Sequence, residues 1–207
     1  MAATEHPMQV LADFLPQDSF DSVIHFIHQF KVHLTITQKR KSVLGDYRHA
    51  VHGKNHRISI NGNLNPYEFL ITLLHELAHL LTFEKFGNRI EPHGKEWKAV
   101  YSALLADFVQ KKIFPQDIEK ALHKSIMNPA ATANGEVELL MVLRRYDRKK
   151  REGVYHVAEL PVGAVFQTED GRMFTKGMKR RKRFECIEMS TGYKYTVSPI
   201  SEVKWIQ

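Results

Sequence analysis

The stretch FLITLLHELAHLL, Phe69 to Leu81, restricts the fold of this chain more than any other. Leu70, Leu73, Leu74, Leu77 and Leu81 recur at spacings of three and four, which makes one apolar stripe at helical period. Thr72, His75, Glu76 and His79 fall on or beside the other face. The helix start is equally well marked: Asn65 is a good N-cap, Pro66 suits the first helical position, and Glu68 completes a capping box. Gly87 reads as the stop. A membrane span needs about 18–20 uninterrupted apolar residues. No run in the chain approaches that, and this one is broken by two histidines and a glutamate.

Around this helix the chain reads as two parts. Ahead of it, SFDSVIHFIHQF has the stripe of a helix that Asp18 can cap, and KVHLTIT, SVLGDYRH and HRISIN read as strands of a small antiparallel sheet. Gly45, inside the middle strand, signals a bulge or a close backbone approach. After it come the loop FGNRIEPHG, a helix from about Lys95 to Gln110 and a short helix near residues 115–126. NPAATANGE is turn-prone and reads as a linker. Beyond it lie short β-like runs: YHVAEL, AVFQT, DGRMFTKG, RFECIEM, TGYKYTV and VKWI. The expected architecture is α+β, with helices plus a small antiparallel sheet over residues 1–130 and a small, mostly β domain over 136–207. With 43% apolar and 26% charged residues, 207 residues can build such cores without covalent staples. The single cysteine, Cys186, excludes an intrachain disulfide and any Cys-rich zinc or iron–sulfur site. The N-terminus lacks the basic and apolar regions of a secretory signal, so a cytoplasmic protein is expected.

His75-Glu76-Leu77-Ala78-His79 is an HExxH sequence. Residues four apart lie one turn apart on the same helix face, so two imidazoles there can meet one zinc ion at about 2.0–2.1 Å. Glu76, about 100° further round the helix, can take the proton of a water acidified by the metal. Twelve histidines make this pattern too frequent by chance to stand alone. Its place in a strongly capped helix, with both histidines off the leucine stripe, is what gives it weight. A catalytic zinc needs a third protein ligand and an open position. Glu91 and His93 are the candidates, and His93 is favoured because PHGKEW places it beside Gly94, where a new helix begins. Lys85 stands where a metzincin would have its third histidine. His49, His52 and His56 could line a cleft or be exposed loop residues, with exposure the favoured reading, and Tyr101 is the candidate to stabilise an oxyanion.

The run from LGDYRH through ISINGNLNPYEFLITLLHELAHLLTFEKFG to EPHGKEW resembles the SprT-like domain of the Spartan and SprT metalloprotease family, over about residues 18–125. The resemblance implies a zincin-like minimal metalloprotease fold holding one zinc ion per chain. His75, His79 and His93 would be its ligands and Glu76 its general base. It further implies a zinc metalloendopeptidase acting on protein or peptide substrates, in the best-known members proteins bound or crosslinked to DNA. Many relatives carry a Cys-rich zinc ribbon after this domain, which a chain with only Cys186 cannot build.

Charge is uneven along the sequence. Residues 1–135 hold 15 Lys/Arg against 13 Asp/Glu (+2), and residues 136–207 hold 15 against 10 (+5). Arg144, Arg145, Arg148, Lys149, Lys150 and Arg151 form one cluster; Lys176, Lys179, Arg180, Arg181, Lys182 and Arg183 form another between two expected strands. Basic side chains near Phe174, Phe184, Tyr193 and Tyr195 suit phosphate contact with base stacking, so DNA is a candidate partner. The competing reading is a non-catalytic zinc-containing module that binds nucleic acid or protein.

Overall fold

The computed structural model of the chain describes residues 8–40, 43–51, 53–129, 136–147 and 153–207. Its residues divide into two compact units, Met1–Asp147 and Arg148–Gln207. His52, Arg148, Lys149, Lys150 and Arg151, and most of the expected linker, lie outside the described residues.

The first unit opens with a 3-10 turn (Met8–Phe14) and helix α1 (Phe20–Gln29). Asp18 does not cap α1. It takes a left-handed backbone (φ 64°), and Ser19 becomes the N-cap residue, its Oγ donating to Pro16 O at 2.7 Å. Strands β1 (His33–Thr37), β2 (Gly45–Arg48) and β3 (Arg57–Asn61) form a sheet of order β1-β3-β2. The sheet is mixed, not antiparallel as expected: β1 runs parallel to β3, and only β2 and β3 are antiparallel. β3 carries buried Ile58 and Ile60, and this most buried strand takes the centre, where both its edges are paired. Alternation within each strand gives its buried face but not its neighbour.

Helix α2 (Pro66–Phe86) is the axis of this unit. The Asn65 side chain accepts from Glu68 N–H at 3.0 Å, and Gly87 ends the helix with φ 73°. Every residue from Glu68 to Ala78 is buried, because β2 and β3 pack on one side and α3 (Lys95–Gln110) on another. Each fully buried leucine contributes about 1.5–3 kcal/mol, so Leu73, Leu74 and Leu77 can hold buried His75 and Glu76 in fixed places.

Two further helices close the unit, α4 (Gln116–Met127) and α5 (Val137–Leu143), followed by a 3-10 turn, Arg144–Tyr146. The expected boundary near 130–136 therefore gives way to one after Asp147, since α5 packs on α4 and α2. Asn65 Nδ2 donates to Leu143 O (2.9 Å) and to Asp147 Oδ1 (2.8 Å), so the residue that caps α2 also holds the end of the unit. Replacing Asn65 with Ala removes the cap acceptor and leaves the Leu143 carbonyl buried without this donor. We expect a loss of about 2 kcal/mol in urea unfolding of the full chain. A midpoint unchanged from wild type would show that the cap is dispensable.

The second unit is a six-stranded sheet: β4 (Val154–His156), β5 (Val165–Gln167), β6 (Met173–Arg180), β7 (Arg183–Glu188), β8 (Lys194–Val197) and β9 (Glu202–Trp205). Its order is β4-β9-β5-β6-β7-β8, antiparallel throughout. Val157, Leu160, Ala164, Phe166, Phe174, Cys186 and Val203 make its core. The α+β class and the β character of the C-terminal part agree with the sequence reading. Residues 137–143, expected in the β domain, are helical and belong to the first unit.

Candidate metal centre

His75 and His79 project from adjacent turns of α2, and the turn before α3 brings His93 to them. The ligand atoms of these three lie within 4.8 Å of one another, and among the described residues they are the only such group of histidine, cysteine or carboxylate side chains. His75 Nε2 and His93 Nε2 are 3.2 Å apart. Two nitrogens each bonded to one tetrahedral ion at 2.0–2.1 Å stand about 3.3 Å apart, so this pair fits zinc. His93 takes a left-handed backbone (φ 61°), uncommon outside glycine and characteristic of sites held in place by their surroundings. Gly94 makes that turn possible: a Cβ there would sit 2.9 Å from Glu91 O, to which Gly94 N–H donates. Glu91 itself is exposed and outside the cluster.

Trp97 forms the floor. It is fully buried on α3, with its ring centroid 4.7 Å from that of His75, 5.2 Å from His79 and 4.6 Å from His93. Tyr101, the sequence candidate for an oxyanion donor, stacks on Trp97 and sits edge-on to His75 at 5.4 Å. Its buried ring packs against His75, and burial with Glu136 and Glu76 nearby pushes its phenol upward. Burial, with His79 and His93 beside it, pushes His75 down to about 3. Burial and His93 push His79 down to about 4. Both rings are therefore neutral at neutral pH, the form that binds a metal. Burial first, then Asp46, lifts Glu76 to about 8 against the opposing pull of Arg40. A cation at the histidines would draw that value back down.

Strand β2 covers the other side, which the sequence reading missed. Gly45 lies over Glu76, and the Tyr47 ring lies parallel to His79 (3°) at 6.3 Å. Tyr47 O–H donates to His56 Nδ1 at 2.9 Å. Ala50 N–H points at the same nitrogen (3.3 Å), so Nδ1 is the acceptor and the ring proton is on Nε2, facing Glu84 Oε1 at 3.2 Å. His56, expected to be exposed, is buried in this relay, while His49 is exposed and stacks on Phe83. HRISIN has His56 just ahead of the strand, and nothing in its spacing signals the tertiary partners Tyr47 and Glu84.

A family model described as the SprT-like family matches residues 12–114. The chain belongs to the SprT-like family. The match runs from the N-terminal turn through α3 and stops before α4, and 93 residues follow it. A segment of 37 residues is 57% identical to Protein SprT of Actinobacillus succinogenes, covering 17% of this chain and 21% of that protein. Protein SprT of Vibrio parahaemolyticus is 46% identical over 41 residues (19% and 24%), and that of an Enterobacter species 61% over 31 residues (15% and 18%). The SprT-like chain thus aligns with under a quarter of the length of each of these relatives. No solved structure matches it significantly. Among the described residues of this SprT-like protein, no helix is long and apolar enough to cross a membrane.

The basic clusters fare differently. Arg144 Nη1 lies 3.4 Å from Asp147 and Arg145 Nη1 lies 3.5 Å from Asp117, so a carboxylate of the same unit faces each. On the β6–β7 turn, Lys179, Arg180, Arg181, Lys182 and Arg183 are all exposed, whereas Lys176, further back on β6, is buried with its ammonium donating to Leu160 O and so leaves the cluster. Arg180 lies 3.7 Å from Glu185, and Arg183 donates to Thr196 O at 2.9 Å.

Proposed function

We propose that the first unit is a zincin-like zinc metallopeptidase and that the basic β6–β7 turn recruits it to protein substrates held on DNA. One observation carries the first part: His75 Nε2 and His93 Nε2 stand 3.2 Å apart, in a cluster that His79 completes, with buried Glu76 next in sequence. His75, His79 and His93 would hold the ion through neutral imidazoles. Zinc bound there would supply Lewis-acid polarisation of the scissile carbonyl and would acidify the attacking water. Glu76 accepts that water's proton on its carboxylate and hands it to the departing amine. Trp97 and Tyr101 close the rear of the site to solvent. A structural zinc usually has four protein ligands, whereas the cluster has three among the described residues. That difference, with a carboxyl buried beside the cluster, favours the enzyme over a purely binding module.

The purified chain should contain one zinc ion and cleave an unfolded protein substrate. A chelator should abolish cleavage, and added zinc should restore it. Activity that persists with the metal removed would overturn the assignment.

Exposed charge beside the aromatic strands supports the second part. The full chain should bind a DNA oligonucleotide with a log–log salt slope of about −0.7 to −0.9 per phosphate contacted. Because Arg180 and Arg183 have partners within the unit, the triple change Lys179, Arg181 and Lys182 to Gln should flatten the slope by about two. Equal slopes for the two proteins would remove this turn from the interface.

A further inference from the structure

We infer that Gly45 is a positioning residue: the missing side chain at the start of β2 sets where the Glu76 carboxylate stands. The inference rests on the peptidase reading for its catalytic consequence, and on geometry for its physical part. A Cβ built on Gly45 would lie 2.6 Å from Glu76 Oε1, 2.9 Å from Glu76 Cγ and 2.9 Å from Thr72 Cγ2. Gly45 is not among the residues with positive φ, so its backbone suits alanine. Glycine is needed here for space and not for conformation.

Something must move when that methyl is added, and the surroundings decide what. β2 cannot back away. Asn61 N–H donates to Leu44 O at 2.9 Å, and Asn61 Nδ2 donates to Val43 O at 2.9 Å. The Arg40 guanidinium reaches across the same place: Nε donates to Asn61 Oδ1 (2.8 Å), Nη1 to Ser59 Oγ (3.0 Å), and Nη2 to Ser59 O (3.2 Å) and Leu44 O (3.4 Å). At its other end the strand is tied to α2 by the Tyr47–His56–Glu84 relay. Helix α2 cannot retreat either, since it is buried from Glu68 to Ala78. The Glu76 side chain is the part free to give, by rotating away from β2. A base displaced by an ångström or so costs about a hundredfold in rate even when every group is still present.

The test uses the full chain carrying Gly45→Ala. We expect kcat to fall about 100-fold with KM and zinc content unchanged. In the metal-free protein the Glu76 carboxyl-carbon NMR resonance, assigned by its absence in Glu76→Gln, should move. The double variant Thr72→Ser/Gly45→Ala removes the methyl-on-methyl contact and keeps the clash with Glu76, so it should fold securely and remain as slow as the single variant. Recovery of the wild-type rate in the double variant would trace the loss to packing and overturn the inference. A Gly45→Ala enzyme within about threefold of wild type, with the resonance in place, would overturn it as well. A wild-type chain without peptidase activity would remove the reading above, and the resonance would still decide whether Gly45 sets Glu76.

Discussion

Glu76→Gln is expected to keep its zinc and its fold and to lose about a thousandfold in kcat. The amide has the shape of the acid, so the close fit under Gly45 survives. It cannot accept a proton from water, and a positioned general base contributes about 10²–10⁴-fold. Stability should follow a definite sign. Burial lifts the folded carboxyl from 4.5 to about 8, so between those two pH values the folded, metal-free chain holds a proton that the unfolded chain releases. Over that window the group costs stability as pH rises, and a neutral amide escapes the cost. Metal-free Glu76→Gln should therefore melt no lower than wild type at neutral pH. Undiminished cleavage of the same substrate by this variant would show that Glu76 is not the base.

His93→Ala should release the metal. Losing a partner that merely orients a ligand costs 10–100-fold in affinity, so losing one of three ligands should cost more than about a hundredfold. Dialysis against a weak chelator should strip the variant and leave wild type loaded, and Glu91→Ala should behave as wild type because Glu91 is exposed and outside the cluster. Zinc retained by His93→Ala and lost from Glu91→Ala would reverse the assignment. The left-handed backbone at residue 93 adds a second expectation: His93→Gly should lose the metal as fully as His93→Ala, while relieving the strain at φ 61°.

Much of the site was legible in the sequence because its signals are local. Asn65, Pro66 and Gly87 mark the ends of α2, and the three-and-four spacing of its leucines fixes which side His75 and His79 share. Gly45 was legible too, as a demand for close approach, although the sequence could not say that Glu76 was what approached. The rest depends on partners far along the chain. Strand β3 separates β1 from β2, and no alternation of apolar residues states that order. Tyr47, His56 and Glu84 meet only because β2 lies along α2. Helix α5 had a local signal that went unread: Leu139, Leu140 and Leu143, all buried, recur at spacings of one and three inside VELLMVL. The arginines that follow carry the more conspicuous pattern, which is one of charge. Their nearby carboxylates, Asp147 and Asp117, come from the same turn and from α4, and these pairings form in the fold and not in the composition.

The double duty of Asn65 bears on how such a chain can be taken apart and recombined. One amide both starts the helix that bears HExxH and grips the last residues before the β unit, Leu143 and Asp147. The natural seam of the molecule is therefore after Asp147, well past the end of the family match at residue 114. Cutting at the seam leaves the grip intact, and a different module can be grafted there without disturbing the helix start. Cutting earlier, anywhere between α4 and α5, leaves an amide that has lost both its acceptors at the head of the HExxH helix. Inheritance by exchange of modules would meet the same restriction, and would carry α4 and α5 along with the histidine cluster as one transferable block.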